Sequence, residues 1–147
     1  GHAMAAGLTL ELAKLPAFEQ AWQEHARATL DDALLQAELL SDGELLPQEF
    51  DRFHAEALRD GGPWGQGFPE PLFDGCFEVL DYRPVGERHL RLRLRHPDRR
   101  EPLAAIHFGG WQGSAPAPYL HLAYRLQPDD YRGGSAVQLV VEHAVPA

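Results

Sequence analysis

The fold is decided by the stretch from Val85 to Arg95, which reads VGERHLRLRLR. From His89 onward apolar and polar residues alternate strictly, and this period of two is typical of a half-buried β-strand. The pattern predicts that one face joins an apolar core, while the other carries cationic side chains roughly 7 Å apart. The core face carries Leu90, Leu92 and Leu94, and the opposite face carries His89, Arg91, Arg93 and Arg95.

Two interpretations of this cationic face are open. Phosphates along an extended single strand of nucleic acid have a similar spacing, so the row of side chains could bind such a strand. Alternatively, the arginines could keep the strand soluble or protect the edge of a sheet from pairing with another chain. The alternation by itself is compatible with both.

The composition fits one globular domain, or a small domain joined to part of another. The 147 residues are 44% hydrophobic, which is enough for a core, and no apolar run is long enough to span a membrane. Cys76 is the only cysteine, which excludes a disulfide within the chain and leads us to expect a cytoplasmic protein. The eight histidines show no metal-ligand spacing, so we expect no metal site in this chain.

Charge is distributed unevenly along the chain, whose net charge is −9. Residues 1–82 have a net charge of −12, and residues 83–147 have a net charge of +3. Seven of the nine arginines in the second part lie between Arg83 and Arg100. A local basic surface can bind phosphate on an acidic protein, so the net charge does not exclude nucleic-acid binding.

The first half of the chain contains two helix signals. Pro16 precedes apolar residues at helical spacing, including Trp22, and predicts a first helix. Residues 33–40 favour a short strand over a continuation of this helix. A second helix is predicted from Pro47 to Gly61, with an apolar stripe that we expect to lie in the core. The stripe consists of Phe50, Phe53, His54, Ala57 and Leu58.

From residue 72 onward the pattern predicts an all-β structure with five strands. The preceding segment, 62–71, is rich in Gly and Pro and therefore irregular, and its Trp64 and Phe68 could anchor the loop or stack on bases. Five short strands fit a small closed barrel such as an OB-fold, which commonly binds single-stranded nucleic acid on one face. The predicted fold class is α+β, a small β-barrel of about five strands preceded by two helices. The strand candidates are Leu72–Asp81, His89–Arg95, Pro102–Phe108, Tyr119–Leu126 and Ala136–His143.

Four motifs, in the same order along the chain, resemble one protein family. The first seven residues, GHAMAAG, are similar to the Gly-Gly-His-x-x-Ala-Ala-Gly motif of the DHH-associated domain of DHH-family phosphoesterases. This favours native sequence over an expression-tag remnant at the start of the chain. Later segments resemble the RecJ branch, the single-strand-specific DNA exonucleases. They are GPWGQGFPEPLF at 62–73, RPVGERHL at 83–90, and YRG at 131–133 followed by VQL at 137–139.

The resemblance implies the C-terminal portion of a larger enzyme that degrades single-stranded DNA from its 5′ end in recombination and repair. Residues 1–32 would end a DHH-associated domain that contributes the first helix, and residues 33–146 would form the RecJ-type OB domain. The divalent metal, manganese or magnesium, would be bound by an upstream catalytic domain. This chain contains none of those metal-binding motifs, so we expect it to be inactive alone.

The predicted site residues form two sets. In the first, the resemblance places His2 near the substrate phosphates and small residues where the backbone can approach them. This first set is Gly1, His2, Ala5, Ala6 and Gly7. The second set, expected to contact DNA, is Arg83, Arg88, His89, Arg91, Arg93, Arg95, Tyr119, His121, Arg125 and Arg132. The chain departs from the family pattern where the first Gly of its motif is absent, and where Phe68 and Asp129 replace a frequent Asn.

Three roles remain open for the chain. It could bind single-stranded DNA, or it could be a docking module whose arginine row receives an acidic peptide, such as the tail of a single-strand-binding protein. It could also be a scaffold that supports the catalytic domain. The apolar stripe of the first helix, which includes Phe18 and Trp22, would lack a partner in this chain, so we also expect loose attachment or self-association.

Overall fold

The alternating segment 89–95 forms the second strand of a closed five-stranded barrel. The computed structural model describes residues 5–31 and 38–147, and the chain divides into two compact units, residues 1–38 and 39–147. The five predicted strands are confirmed, and the first, fourth and last end later in the chain than expected. They are β1 (Phe73–Val85), β2 (His89–Arg95), β3 (Leu103–His107), β4 (Tyr119–Pro128) and β5 (Val137–Pro146).

The order of the strands around the barrel is β1-β2-β3-β5-β4, and β4 pairs back with β1. Neighbouring strands are antiparallel except β3 and β5, which run parallel. β2 is therefore bonded on both sides, by β1 and by β3. The arginines of β2 do not protect a sheet edge, because β2 is not an edge strand.

The leucines of β2 lie in the barrel core, as the alternation predicts. Leu90, Leu92 and Leu94 are buried, and the arginines between them are exposed. Burying a leucine side chain contributes about 1.5–3 kcal/mol, so these three residues bind β2 firmly to the core. Inward-facing residues of the other strands complete that core: Phe77, Leu103, Ala105, Leu120, Leu122, Tyr124, Leu126, Leu139 and Val141.

A bulge in β1 changes which of its residues face outward. Val79 lies opposite Leu94, but Asp81 lies opposite Arg93, so Leu80 is an extra residue without a partner on β2. One extra residue shifts the alternation of side chains by one position. The residues of β1 beyond the bulge therefore have the opposite orientation from the one that a regular strand would give them.

The second helix begins later than predicted. Residues Pro47–Glu49 form a short 3₁₀ turn, and the backbone leaves helical geometry at Phe50. Helix α2 spans Arg52–Asp60, and the carboxylate of Asp51 caps it by accepting the N–H of His54 at 2.9 Å. The prediction of one helix from Pro47 was wrong because a proline opens a 3₁₀ turn as readily as an α-helix.

This later start also corrects the predicted apolar stripe of α2. Phe50 is buried, but it precedes the helix, and its backbone is not helical, so its side chain does not continue the apolar face of α2. Within α2, Ala55 is buried whereas Phe53 and Ala57 are exposed. The predicted end of the helix is confirmed at Gly61, where a Cβ atom would lie 2.7 Å from the carbonyl oxygen of Ala57.

The irregular segment after α2 is anchored by Trp64. Its indole N–H donates to the carbonyl oxygen of Leu58 at 2.9 Å, and its ring stacks on Phe68 with 4.9 Å between centroids. Of the two predicted roles of Trp64, the structure supports that of an anchor. The ring of Phe68 remains about half exposed beside it.

The first unit contains helix α1, Leu15–Thr29, with Pro16 in its first turn as predicted. Phe18 and Trp22 stack at 6.0 Å, Trp22 is 63% exposed, and no residue of α1 is buried among those described. Loose attachment or self-association of this helix stays a prediction. The strand predicted at 33–40 falls largely on residues 32–37, which lie outside the described residues. No helix in the described ranges is long and apolar enough to cross a membrane.

The segment that leads into the barrel is held by the carboxylate of Asp74 in β1. The hydroxyl of Ser41 donates to one oxygen of Asp74, and Nε2 of His121 lies 2.8 Å from the other. The N–H of Asp74 also donates to the carbonyl oxygen of Gly43 at 3.1 Å. The hydrogen bond from Ser41, followed by that from His121, lowers the pKa of the Asp74 carboxyl below its ordinary value of 3.8.

We expect Ser41→Ala to raise the pKa of Asp74 toward 3.8, because it removes the larger cause of the shift. Since the folded pKa is lower than the unfolded one, the stabilisation by this carboxylate is present above pH 3.8 and is lost as the pH falls through the folded pKa. An NMR titration of the Asp74 carboxyl carbon measures this, with His121→Ala as the variant expected to give a smaller change. Identical titration curves for wild type and Ser41→Ala would contradict the assignment.

Candidate nucleic-acid interface

Arginines from two strands meet on the outer face of the barrel. Because of the bulge in β1, Arg83 lies directly opposite Arg91 of β2, and Asp81 lies opposite Arg93. Opposite residues share a face, with Cβ atoms about 4.5–5.5 Å apart, and like charges in such positions destabilise a sheet. An anion bound between Arg83 and Arg91 would relieve this repulsion.

These side chains line an open cleft of about 380 Å³. Its described lining contains four arginines, Arg83, Arg91, Arg93 and Arg132, and one acidic residue, Asp81. Arg132 comes from the loop between β4 and β5, so the cleft collects cations that are distant in the sequence. The cleft is therefore the strongest local concentration of positive charge among the predicted site residues that the structure describes.

The predicted arginines differ in whether a carboxylate already neutralises them. Nε of Arg95 lies 2.9 Å from Glu78, and Arg125 is paired with both Glu70, at 3.5 Å, and Glu142. By contrast, within residues 5–31 and 38–147 no ion pair with a carboxylate is formed by Arg83, Arg88, Arg91 or Arg93. The positive charge available to a ligand is thus concentrated at the outer faces of β1 and β2 and at the turn that joins them.

An exposed aromatic ring extends the arginine row at the end where β2 begins. Phe108 directly follows β3, is 62% exposed, and packs edge-on against His89 with 5.3 Å between ring centroids. The N–H of Gly109 donates to Nδ1 of His89 at 3.1 Å and holds the imidazole in place. Phe108 was not among the predicted site residues, although the two-residue alternation from Ala104 along β3 places it on the outer face.

A second aromatic pair lies at the same end of the barrel. Tyr82 lines the cleft, is 40% exposed, and stacks on Trp111 with 6.2 Å between centroids. The backbone N–H of Trp111 donates to the carbonyl oxygen of Arg88 at 2.9 Å, which fixes the turn that joins β1 to β2. Nothing in the local pattern pairs Tyr82 with Trp111, so sequence reasoning did not single them out.

His107 does not add to this basic surface. It lies opposite Leu90, a core residue, so its side chain belongs to the inward-facing set. Burial, followed by the nearby His143, lowers the pKa of His107 from its ordinary value of 6.5. The imidazole is therefore neutral at neutral pH.

The remaining predicted contacts lie on the side formed by β1, β4 and β5. Tyr119 lies opposite Glu78 and lines a separate pocket with Cys76, His121 is held by Asp74, and Arg125 is ion-paired. The structure therefore does not bring Tyr119, His121 or Arg125 into the arginine cleft. Of the predicted phosphate site, Gly1 and His2 lie outside the described residues, and Ala5, Ala6 and Gly7 are exposed.

The described residues also do not fit a divalent metal. No group of three or more His, Cys, Asp or Glu side chains in them is arranged to hold a metal ion. The arginine cleft offers guanidinium groups that bind anions, and the aromatic rings beside it offer surfaces for flat apolar groups.

A family model described as the RecJ OB domain matches residues 41–143. The single-stranded-DNA-specific exonuclease RecJ of Escherichia coli is 43% identical over 150 residues, covering 99% of this chain and 26% of that protein. The RecJ exonuclease of Thermus thermophilus is 33% identical over 156 residues, covering 94% of this chain and 21% of that protein. The chain thus spans a minor part of the length of the relatives it matches.

A solved structure supports the fold independently. The crystal structure of RecJ in complex with Mg²⁺ from Thermus thermophilus matches with a TM-score of 0.71 and 23% sequence identity. The match covers 95% of this chain and 21% of that one. At this level of identity the likeness establishes the architecture, and the site has to be argued from the residues of this chain.

Proposed function

The chain belongs to the RecJ OB-domain family, and we propose that it binds single-stranded DNA for a RecJ-like exonuclease that cuts from the 5′ end. One observation carries the proposal: four arginines converge on one cleft, and three of them, Arg83, Arg91 and Arg93, are exposed and form no ion pair among the described residues. The named relatives are single-stranded-DNA-specific exonucleases. A role in recombination and repair, in the cytoplasm, is part of the same proposal.

The proposed contacts separate into phosphate and base contacts. Arg91 and Arg93 lie two residues apart on β2, about 7 Å, and bind successive phosphates of an extended strand. Phe108 offers a ring face on which an unpaired base stacks. Stacking requires bases that are free of a duplex, and this accounts for single-strand preference. Arginines on phosphates position a strand without reading its sequence, so we expect no sequence preference.

We further propose that hydrolysis, and the manganese or magnesium it requires, belongs to the part of such enzymes that this chain does not cover. We therefore expect no shortening of a labelled single-stranded oligonucleotide by the purified chain with either metal, because metal-assisted phosphodiester hydrolysis needs clustered ligands. Gel analysis over several hours measures this. Manganese-dependent degradation that is lost when a carboxylate of this chain is replaced would overturn the assignment.

Replacing Arg91 and Arg93 together by Ala tests the phosphate contacts. We expect weaker binding of single-stranded DNA and a salt dependence reduced by about 1.4 in the slope of log K against log salt, since each contact to a single strand contributes about 0.7. Both side chains are exposed on a buried strand, so the fold should persist. Fluorescence anisotropy at several salt concentrations gives the slope.

The matched control for this test is the double variant Arg95→Ala and Arg125→Ala. It removes the same number of positive charges, but these two arginines are already paired with carboxylates. We expect its slope to stay close to that of the wild type. Equal losses in the two double variants would show that net charge governs binding, and the cleft would then not be the binding surface.

Phe108→Ala tests the proposed base contact. We expect a loss of about 1–3 kcal/mol in binding free energy with an unchanged salt slope, because stacking involves no phosphate. Phe53→Ala is the control, since Phe53 is even more exposed than Phe108 but belongs to α2. If both variants bind DNA like the wild type, Phe108 has no part in the interface.

The alternative function, docking of an acidic peptide such as the tail of a single-strand-binding protein, would use the same unpaired arginines. A titration of the wild-type chain with such a peptide, beside the oligonucleotide titration, distinguishes them. Docking would be favoured by two results together. The wild-type chain binds the peptide but not the oligonucleotide, and the Arg91 and Arg93 double variant no longer binds the peptide. Binding of neither ligand would favour a scaffold.

A further inference from the structure

One arginine of the cleft, Arg132, is placed by a buried carboxylate. Asp129 begins the loop between β4 and β5 and is only 7% exposed, the one buried charged residue among those the structure describes. It is flanked by Pro128, the last residue of β4. A buried carboxylate is costly unless hydrogen bonds satisfy it, so its contacts reveal its role.

Asp129 closes the loop through both its backbone and its side chain. One carboxylate oxygen accepts the backbone N–H of Arg132 at 3.1 Å, and the carbonyl oxygen accepts the N–H of Gly133 at 2.9 Å. The N–H of Asp129 donates to the carbonyl oxygen of Ala136 at 2.9 Å, at the far end of the loop. Gly133 and Gly134 have φ angles of +67° and +61°, which suit glycine, so the loop has a defined path.

The other carboxylate oxygen of Asp129 faces the guanidinium of the same arginine. Oδ2 lies 3.5 Å from Nε of Arg132, which also lines the cleft. Arg83, Arg91 and Arg93, the other arginines of the cleft, form no such pair within the described residues. The charge of Arg132 is thus partly neutralised before a ligand arrives, and a phosphate in the cleft must compete with Asp129 for it.

We propose that Asp129 is a positioning residue with two separable effects on Arg132: it fixes the loop that carries this arginine into the cleft, and it restrains the charge that the arginine offers to DNA phosphate. This inference rests on the proposed function, because it concerns the same cleft. Oδ1 of Asp129 holds the loop through the N–H of Arg132, and Oδ2 faces the guanidinium. A substitution that keeps the hydrogen-bond acceptor but removes the negative charge can therefore separate the effect on the loop from the effect on the charge.

Asp129→Asn keeps an oxygen that accepts the N–H of Arg132 and removes the negative charge. We expect it to bind a single-stranded oligonucleotide about two- to fivefold more tightly at low salt, the range that one exposed ion pair covers. We also expect a salt slope steeper by up to about 0.7, one additional phosphate contact. Asp129→Ala removes the hydrogen-bond acceptor as well as the charge, so the loop is no longer held. We therefore expect weaker binding and faster hydrogen exchange at the amides of Arg132 and Gly133.

The control is the double variant Asp129→Asn with Arg132→Ala. If Asp129 acts through Arg132, the gain from Asn disappears in this background, and the double variant binds like Arg132→Ala alone. Hydrogen exchange of the loop amides, measured without DNA, reports the loop separately: the Asn variant should exchange like the wild type.

Three results would overturn the inference. They are unchanged binding in Asp129→Asn, a gain that survives in the Arg132→Ala background, and loop exchange in the Asn variant as fast as in the Ala variant. If any of these results is obtained while binding by the Arg91 and Arg93 double variant is still weaker than that of the wild type, the proposed function is retained and the role of Asp129 is rejected. If no arginine of the cleft affects DNA binding, the proposed function itself fails.

Discussion

Burial of one side of β2 determines where the basic residues of this barrel point. Leu90, Leu92 and Leu94 lie in the core, and β2 is bonded to β1 and β3 along both edges. A slip of one residue would move the leucines to solvent and bury Arg91 and Arg93 without partners, which is strongly unfavourable. The outward arginine row is therefore as firmly specified as the core itself.

The bulge at Leu80 brings a second strand into the same surface. In a regular strand, Arg83 would share the orientation of Phe77 and face the barrel interior. The extra residue instead aligns Arg83 with Arg91, at the expense of two like charges lying opposite each other. A local irregularity that is unfavourable for the free protein is thus what places Arg83 beside Arg91 on the proposed DNA-binding surface.

The alternation of apolar and polar residues was sufficient to predict the five strands and the direction of the arginine row. It was not sufficient for features that depend on contacts between distant residues. Arg125 shares the chemistry of Arg91, but it is neutralised by Glu142 on the neighbouring strand, and no local pattern reveals that pairing. The start of α2 was missed for a local reason, since Pro47 opens a 3₁₀ turn and Asp51 is the true cap.

The even spacing of the cations on β2 has a consequence for motion. Hydrogen bonds to two neighbouring strands keep the spacing of these cations constant. Binding of a phosphate backbone would therefore cost little conformational entropy in β2. On the proposed DNA-binding surface, a strand whose phosphates repeat at nearly the same distance would find equivalent contacts again after advancing by one nucleotide. Such a surface would retain the strand while leaving its position along the row almost free, and the strand could therefore slide.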